Sequence, residues 1–195
     1  MSWYTQAPAS INEEAVKSAR AHQLTLTKPP GALGALEDVA IKLAGFQGKV
    51  KPELKRVFIS VFAGDHGIAA KGVSAFPQAV TTEMVKNFAS GGAAISVLAQ
   101  QLNAQFEVVN LGTLFEVEPH PQIVSARIAA GTKDFSEEPA MSSEQLQQAM
   151  QEGQAAAERA KESHSQLFIG GEMGIGNTSS ATALAASYLS LPANE

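Results

Sequence analysis

The chain has 195 residues, which is long enough for a domain with a sizeable hydrophobic core. Its net charge of −5 and its lack of any basic run interleaved with aromatic residues argue against a nucleic-acid-binding protein. Cysteine is absent, so disulfides and cysteine metal sites are excluded. No apolar run approaches the length of a membrane span, and we expect a cytoplasmic protein without membrane contact.

The first predicted element is a helix over residues 10–23. Ser10 stands at the N-cap position and Glu13 follows three residues later, as in a capping box. The helix ends before the segment LTKPPGALG, in which two prolines and two glycines predict an extended turn.

A second amphipathic helix is predicted before residue 50. Apolar residues recur there at i, i+3, i+4 and i+7, namely Leu36, Val39, Ala40 and Leu43. Gly45 or Gly48 is expected to end this helix. We interpret residues 1–50 as a helical segment and residues 51–195 as an α/β domain.

From residue 51 onward, predicted strands alternate with predicted helices. The strands are the buried run Val57 to Phe62, then Phe106 to Leu111, a shorter or edge strand from Ile123 to Ile128, and a second buried run, Leu167 to Ile169. The helices begin after Pro77, at Ala93, at a capping box spanning Ser142 to Gln145, and at about Ser180. This rhythm is typical of right-handed crossovers and predicts a doubly wound α/β sheet.

The segment GGEMGIGN, which follows the last strand, has the layout of an anion site. Its glycines allow a tight turn, and the next helix would direct its unpaired N–H groups at a phosphate. Neither the P-loop nor the dinucleotide fingerprint fits these glycines. Glu172 would repel a phosphate, so it suits sugar hydroxyls or a cationic heterocycle. The alternative is a glycine-rich connection with a solvated Glu172.

The segment FAGDHG, after the first strand, carries Asp65 and His66. Ligands of open α/β sheets bind beyond the carboxyl ends of the strands, so this loop and GGEMGIGN should face one crevice. An adjacent Asp and His can bind a metal or transfer protons, and can equally have a structural role. None of the other histidines offers a convincing second metal ligand.

Five linked motifs carry a family resemblance over nearly the whole chain. They are LTKPPGALGALE, FAGDHGIAAKGVSAFPQ, GGAAISVLA, ARIAAGTKDFSEEPAM and GEMGIGNTSSA. In this order they resemble the nicotinate-nucleotide–dimethylbenzimidazole phosphoribosyltransferases. The resemblance implies a three-layer, Rossmann-like α/β fold with a mostly parallel sheet, flanking helices and additional N-terminal helices.

The resemblance also implies an activity. Such an enzyme transfers phosphoribose from nicotinate mononucleotide to 5,6-dimethylbenzimidazole, which yields α-ribazole 5′-phosphate and nicotinate. It works as a homodimer without a metal or redox cofactor, and a carboxylate general base takes the ring proton. The resemblance places that catalytic Glu beyond Glu195, so we expect this chain to be an N-terminal portion that is inactive alone, with residues 51–195 forming an incomplete Rossmann-like α/β domain.

Site residues follow from the resemblance motif by motif. Gly174, Ile175, Gly176, Asn177 and Thr178 would cradle the nucleotide phosphate, and Glu172 would lie on the ribose side. Phe76, Met84 and Met173 would line the benzimidazole pocket. Ala32 and Ala35 replace the Ser and Arg that the family often has in its PPGSLGRLE segment.

Two other functions stay open at this point. One is a non-catalytic module that binds a mononucleotide or a benzimidazole through the same glycine turn. The other is a metal-dependent hydrolase centred on Asp65 and His66.

Overall fold

The computed structural model describes residues 3–192, and the chain divides into two units, Met1–Lys55 and Arg56–Glu195. The first unit contains a short 3-10 helix, Trp3–Thr5, followed by α1 (Glu13–Gln23) and α2 (Ala35–Gln47). The two α-helices pack around the buried side chains of Ala19, Ile41 and Ala44.

The start of α1 differs from the prediction. Asn12, rather than Ser10, is the N-cap residue, and its Oδ1 accepts a hydrogen bond of 2.9 Å from the Ala15 N–H. Asn and Ser are equally good caps, so composition does not choose between them. The prediction of Ser10 as the cap, with Glu13 in a capping box, was therefore wrong by two residues.

The end of α2 is at Gln47, and Gly48 caps it in the left-handed conformation at φ +64°. Gly48 was one of the two predicted stops. The predicted apolar stripe is only partly the buried face, because Leu36 and Val39 are exposed. The residues that α2 buries are Ile41, Ala44 and Gly45.

The second unit is built on a parallel four-stranded sheet. Its strands are β1 (Val57–Gly64), β2 (Gln105–Gly112), β3 (Ile123–Ser125) and β4 (Leu167–Met173), in the order β3-β2-β1-β4. The helices are α3 (Ala79–Ala89), α4 (Ala94–Gln101), α5 (Ser143–Glu162) and α6 (Asn177–Leu189), with a 3-10 helix at Gly67–Lys71. The predicted α/β class with a parallel sheet is confirmed.

The core of this unit lies where α3 and the segment that precedes α4 meet the two central strands. Its buried members are Val61, Ala63, Val85, Phe88, Ala93 and Val108. β1 is a central strand, and its middle residues are buried, as the continuous apolar run predicted.

The sheet edges correct two predictions. β3 is an edge strand, as expected, but it ends at Ser125 rather than Ile128. β4 was expected to be buried on both faces. It is the other edge of the sheet, since β1 is the one described strand that pairs with it, and its Phe168 and Ile169 side chains are exposed.

A charged network fixes α5 to the sheet. Arg159 donates two hydrogen bonds of 2.8 Å to Glu107 of β2, and Ser60 of β1 donates a third, of 2.7 Å, to the same carboxylate. Glu107 holds the pKa of Arg159 above its ordinary value. At the other end of α5, the predicted capping box of Ser142 and Gln145 is present.

Candidate active site

A cavity of about 520 Å³ opens at the carboxyl ends of β1, β2 and β4. It is lined by Asp65 and His66 after β1, Gly112 at the end of β2, and Glu172 and Met173 at the end of β4. The sequence placed the two loops FAGDHG and GGEMGIGN in one crevice, and this is confirmed. The reason is the direct pairing of β1 with β4, which brings their two ends side by side.

Asp65 lies at the end of β1 and is held on three sides. Its N–H donates to Gly112 O at 2.9 Å, and its carbonyl accepts from the Thr132 N–H at 2.9 Å. Its Oδ2 accepts a 2.7 Å hydrogen bond from the Leu114 N–H. With 2 % of its surface exposed, the carboxylate is fixed at the edge of the cavity.

His66 joins the β1 loop to α6. Its Nδ1 lies 3.0 Å from Ser180 Oγ, and its carbonyl accepts a 3.0 Å hydrogen bond from Gln78 Nε2. Burial lowers the pKa of His66, while the negative charges of Glu172 and Asp65 act in the opposite direction. At neutral pH the ring is therefore uncharged and can exchange a hydrogen bond with the Ser180 hydroxyl.

The glycine turn after β4 is shaped by close packing. A Cβ at Gly174 would lie 2.7 Å from His66 Nε2 and still closer to the carbonyl oxygen of Gly64. Gly176 has φ +87°, a conformation that favours glycine. Ile175 is buried, and its N–H donates a 3.1 Å hydrogen bond to Thr81 Oγ1 of α3. The turn thus depends on its glycines to reach β1 and α3.

The helix α6 begins at Asn177, three residues before the predicted start at Ser180, and Gly176 is its N-cap without a side-chain cap. Because of this early start, the N–H groups of the first turn already have acceptors. Asn177 N–H bonds to Gly174 O, Thr178 N–H to Asn177 Oδ1, and those of Ser179 and Ser180 to Gly176 O. A phosphate at this turn would have to replace some of these bonds.

Glu172 is oriented by Asn177. The amide Nδ2 of Asn177 lies 2.7 Å from Oε1 and 2.9 Å from Oε2 of the carboxylate. Both residues line the cavity, together with Thr178. Glu172 is exposed, so a ligand in the cavity can reach its carboxylate.

The three predicted pocket residues occupy different environments. Met173 lines the cavity. Met84 is partly buried and packs against the core of the second unit, as does Met173, but Met84 does not line the cavity. Phe76 is 65 % exposed and is also absent from the lining.

The loop between β3 and α5 supplies cavity residues that the sequence analysis did not assign. Ile128, Ala129, Gly131, Thr132 and Met141 all line the cavity. The glycine at position 131 was the feature of the sequence that could have indicated this loop. The structure requires glycine there, because φ is +87° and a Cβ would lie 3.0 Å from the Cβ of Asp65. The motif ARIAAGTKDFSEEPAM contains this loop.

Within residues 3–192, no three His, Asp or Glu side chains are grouped closely enough to hold a metal ion. None of the helices in this range has the length and apolar character needed to cross a bilayer.

Comparison with known proteins gives consistent matches over the chain. A family model described as phosphoribosyltransferase matches residues 9–195. The nicotinate-nucleotide–dimethylbenzimidazole phosphoribosyltransferase of Pseudomonas putida KT2440 is 52% identical over 193 residues, which is 99% of this chain and 55% of the relative. The enzyme of that name from Pseudomonas aeruginosa PAO1 is 50% identical over 194 residues, which is 100% of this chain and 55% of the relative.

Solved structures agree with these sequence matches. The crystal structure of the phosphoribosyltransferase of that name from Thermus thermophilus superposes with a TM-score of 0.87 at 44% identity, covering 93% of this chain and 55% of the other. A crystal structure of CobT from the same organism gives a TM-score of 0.85 at 45% identity, covering 92% of this chain and 54% of the other. The chain spans about half the length of the relatives it matches.

Proposed function

Because the chain belongs to the phosphoribosyltransferase family, we propose that it forms the substrate-binding half of a nicotinate-nucleotide–dimethylbenzimidazole phosphoribosyltransferase. The whole protein would move phosphoribose from nicotinate mononucleotide to 5,6-dimethylbenzimidazole and release nicotinate. Attack on the anomeric carbon from the face opposite nicotinate inverts its configuration, and a carboxylate takes the ring proton of the base.

The observation that carries this proposal is the shared cavity of the FAGDHG and GGEMGIGN loops. Its volume of about 520 Å³ is within the range of small-molecule sites, about 300–1,000 Å³. Its lining joins an apolar part, including Ile128 and Met173, to a polar part formed by Glu172 and Asn177. A flat base and a sugar need this combination.

Each part of the site has a role in the proposal. Glu172, held by Asn177, accepts hydrogen bonds from ribose hydroxyls and places a negative charge near the anomeric carbon, where positive charge develops during transfer. The glycine turn from Gly174 to Thr178 receives the phosphate after the first turn of α6 exchanges some of its internal bonds. Phe76, Met84 and Met173 stay our proposed contacts of the benzimidazole. We assign no general base to the described residues.

We further propose that the protein acts as a homodimer in the cytoplasm. Both points come from the family resemblance, and the assembly is checked by sedimentation of the full-length protein. A molar mass of one chain at all concentrations would contradict it.

The function is tested by product formation in a chimera. The chain is joined to the part of the Pseudomonas putida relative that lies beyond the matched region, and α-ribazole 5′-phosphate is measured by chromatography. We expect the chimera to form product and the 195-residue chain alone to form none. A folded chimera that binds nicotinate mononucleotide without turnover would support a binding module instead.

A further inference from the structure

Gln145 lines the cavity from the first turn of α5, and the proposed function gives this residue no role. Ala149 stands about one helical turn further on and lines the cavity as well, so this face of α5 is turned toward the cavity. Met141 and Leu184 are apolar residues of the same lining. The half-buried Gln145 amide is therefore the polar group that α5 contributes to the cavity.

The capping box of α5 fixes the orientation of this amide. Gln145 Oε1 accepts a 2.9 Å hydrogen bond from the Ser142 N–H, and the Gln145 N–H donates to Ser142 Oγ at 3.2 Å. An N–H requires an acceptor, so the amide oxygen is committed to Ser142 and the NH₂ group is the free end of the side chain. Within residues 3–192, Nε2 has no hydrogen-bond partner, and it keeps contact with solvent. Gln145 therefore offers a ligand an oriented donor and no free acceptor.

The polar groups that β4 and α6 bring to the cavity are already paired. Asn177 Nδ2 donates to the Glu172 carboxylate, and Ser180 Oγ lies 3.0 Å from His66 Nδ1. Glu172 would also repel a second carboxylate near it. An anionic substituent of a ligand is better placed near α5, whose N-terminal end carries the positive pole of the helix dipole. Glu144, the acidic residue of that first turn, is exposed and does not line the cavity.

We propose that the Gln145 NH₂ group binds the ring carboxylate of nicotinate mononucleotide and makes the site prefer this compound to nicotinamide mononucleotide. The inference rests on the proposed function and names a residue that determines its substrate specificity. A carboxylate oxygen accepts a charge-assisted hydrogen bond from Nε2. The uncharged carboxamide of nicotinamide accepts a weaker one, and its own NH₂ finds no acceptor on Gln145, because Oε1 is taken by Ser142.

The test replaces Gln145 by Glu in the chain. Gln145→Glu keeps the capping box, since Glu serves at this position as well as Gln, but a negatively charged acceptor replaces the NH₂ donor. Gln148→Glu makes the same chemical change at an exposed position of α5 that does not line the cavity, and is the control. Titration calorimetry at neutral pH measures the dissociation constants of nicotinate mononucleotide and nicotinamide mononucleotide.

We expect Gln145→Glu to weaken nicotinate mononucleotide by about tenfold or more, because repulsion between two carboxylates replaces a charge-assisted hydrogen bond. Nicotinamide mononucleotide should keep its affinity or gain, since its NH₂ group can donate to the new carboxylate. Gln148→Glu should leave both dissociation constants unchanged.

An equal or greater loss for nicotinamide mononucleotide would mean that Gln145 acts on the ribose or phosphate that both compounds share, and would overturn the inference. Unchanged binding of both compounds would overturn it too. Either result leaves the proposed function standing, whereas an unmutated chain that binds neither compound contradicts both.

Gln145→Met is the second variant, because it removes the amide with little change in the length of the side chain. It should lower the preference for nicotinate mononucleotide without reversing it. Urea denaturation checks that both Gln145 variants are folded. If neither unfolds cooperatively, Gln145 serves the fold alone and the inference is wrong.

Discussion

Glu172 shows how much of a single residue's role can be predicted from sequence. A carboxylate inside a glycine turn indicated sugar or cation recognition, because a phosphate would be repelled. Its partner Asn177 was expected to contact the phosphate and was not predicted to bind Glu172. Asn177 is the first residue of α6, and helix boundaries are the least certain part of a sequence prediction.

Replacing Glu172 by Gln tests the ribose assignment. The amide keeps an acceptor for Asn177 but loses the charge, so we expect an intact fold and mononucleotide binding weakened by about tenfold, or about 1.4 kcal/mol. Dimethylbenzimidazole binding should stay nearly unchanged. Calorimetry with both ligands checks this, and the reverse pattern would place Glu172 on the benzimidazole side.

His66 makes stability depend on pH in a defined direction. Burial holds its pKa in the folded protein below the ordinary value of 6.5, so the unfolded chain binds the proton first as the pH falls. The stabilisation due to neutral His66 is complete above about pH 6.5 and is lost as the pH drops toward the folded pKa. Urea unfolding between about pH 7.5 and 5.5 should therefore show a smaller decline for His66→Gln than for the unmutated chain. Equal declines would mean that His66 does not contribute.

At the scale of elements, the order of strands, turns and helices followed from local patterns, but their contacts did not. The glycine turn was predicted from its own residues. The bond from the Ile175 N–H to Thr81 was not, because it joins the turn to a helix 94 residues earlier in the chain. Gly174 likewise was expected to contact phosphate, whereas the structure packs it against His66 and the Gly64 carbonyl. A Gly174→Val variant would therefore disturb the fold whatever the turn binds.

Thr81 gives a cleaner test of how the turn is held. Thr81→Val keeps the shape of the side chain but leaves the buried Ile175 N–H without an acceptor, which should lower the free energy of unfolding by about 1–3 kcal/mol. Thr81→Ser keeps the hydroxyl and is the matched control. Chemical denaturation of both variants measures the difference, and equal losses would assign the effect to packing rather than to the hydrogen bond.

At the scale of the whole molecule, the alternation of elements predicted a parallel α/β sheet. It did not predict that β4 would form an edge of that sheet. An apolar run such as Leu167 to Ile169 indicates a buried strand, but it does not say which neighbours bury it. In this chain β4 lies at an edge, and α6, which follows it, buries none of its side chains fully. Tyr188 of α6 is 93 % exposed.

This exposed apolar surface should make the chain associate. An edge strand with unpaired backbone groups and apolar side chains is a template for pairing with another copy. We expect sedimentation velocity to show species larger than one chain as concentration rises, and Ile169→Lys to reduce them. Val97→Lys changes an exposed position of α4 and should have no effect. A chain that stays monomeric at high concentration would contradict this expectation.

The most direct test of the cavity as the substrate site is an NMR titration of methionine methyl groups. Met141 and Met173 line the cavity, whereas Met150 of α5 does not. The account predicts that nicotinate mononucleotide shifts the ¹³C-methyl resonances of Met141 and Met173 and leaves that of Met150 in place. Binding that shifts Met150 alone, or saturates without moving either cavity methionine, would contradict it.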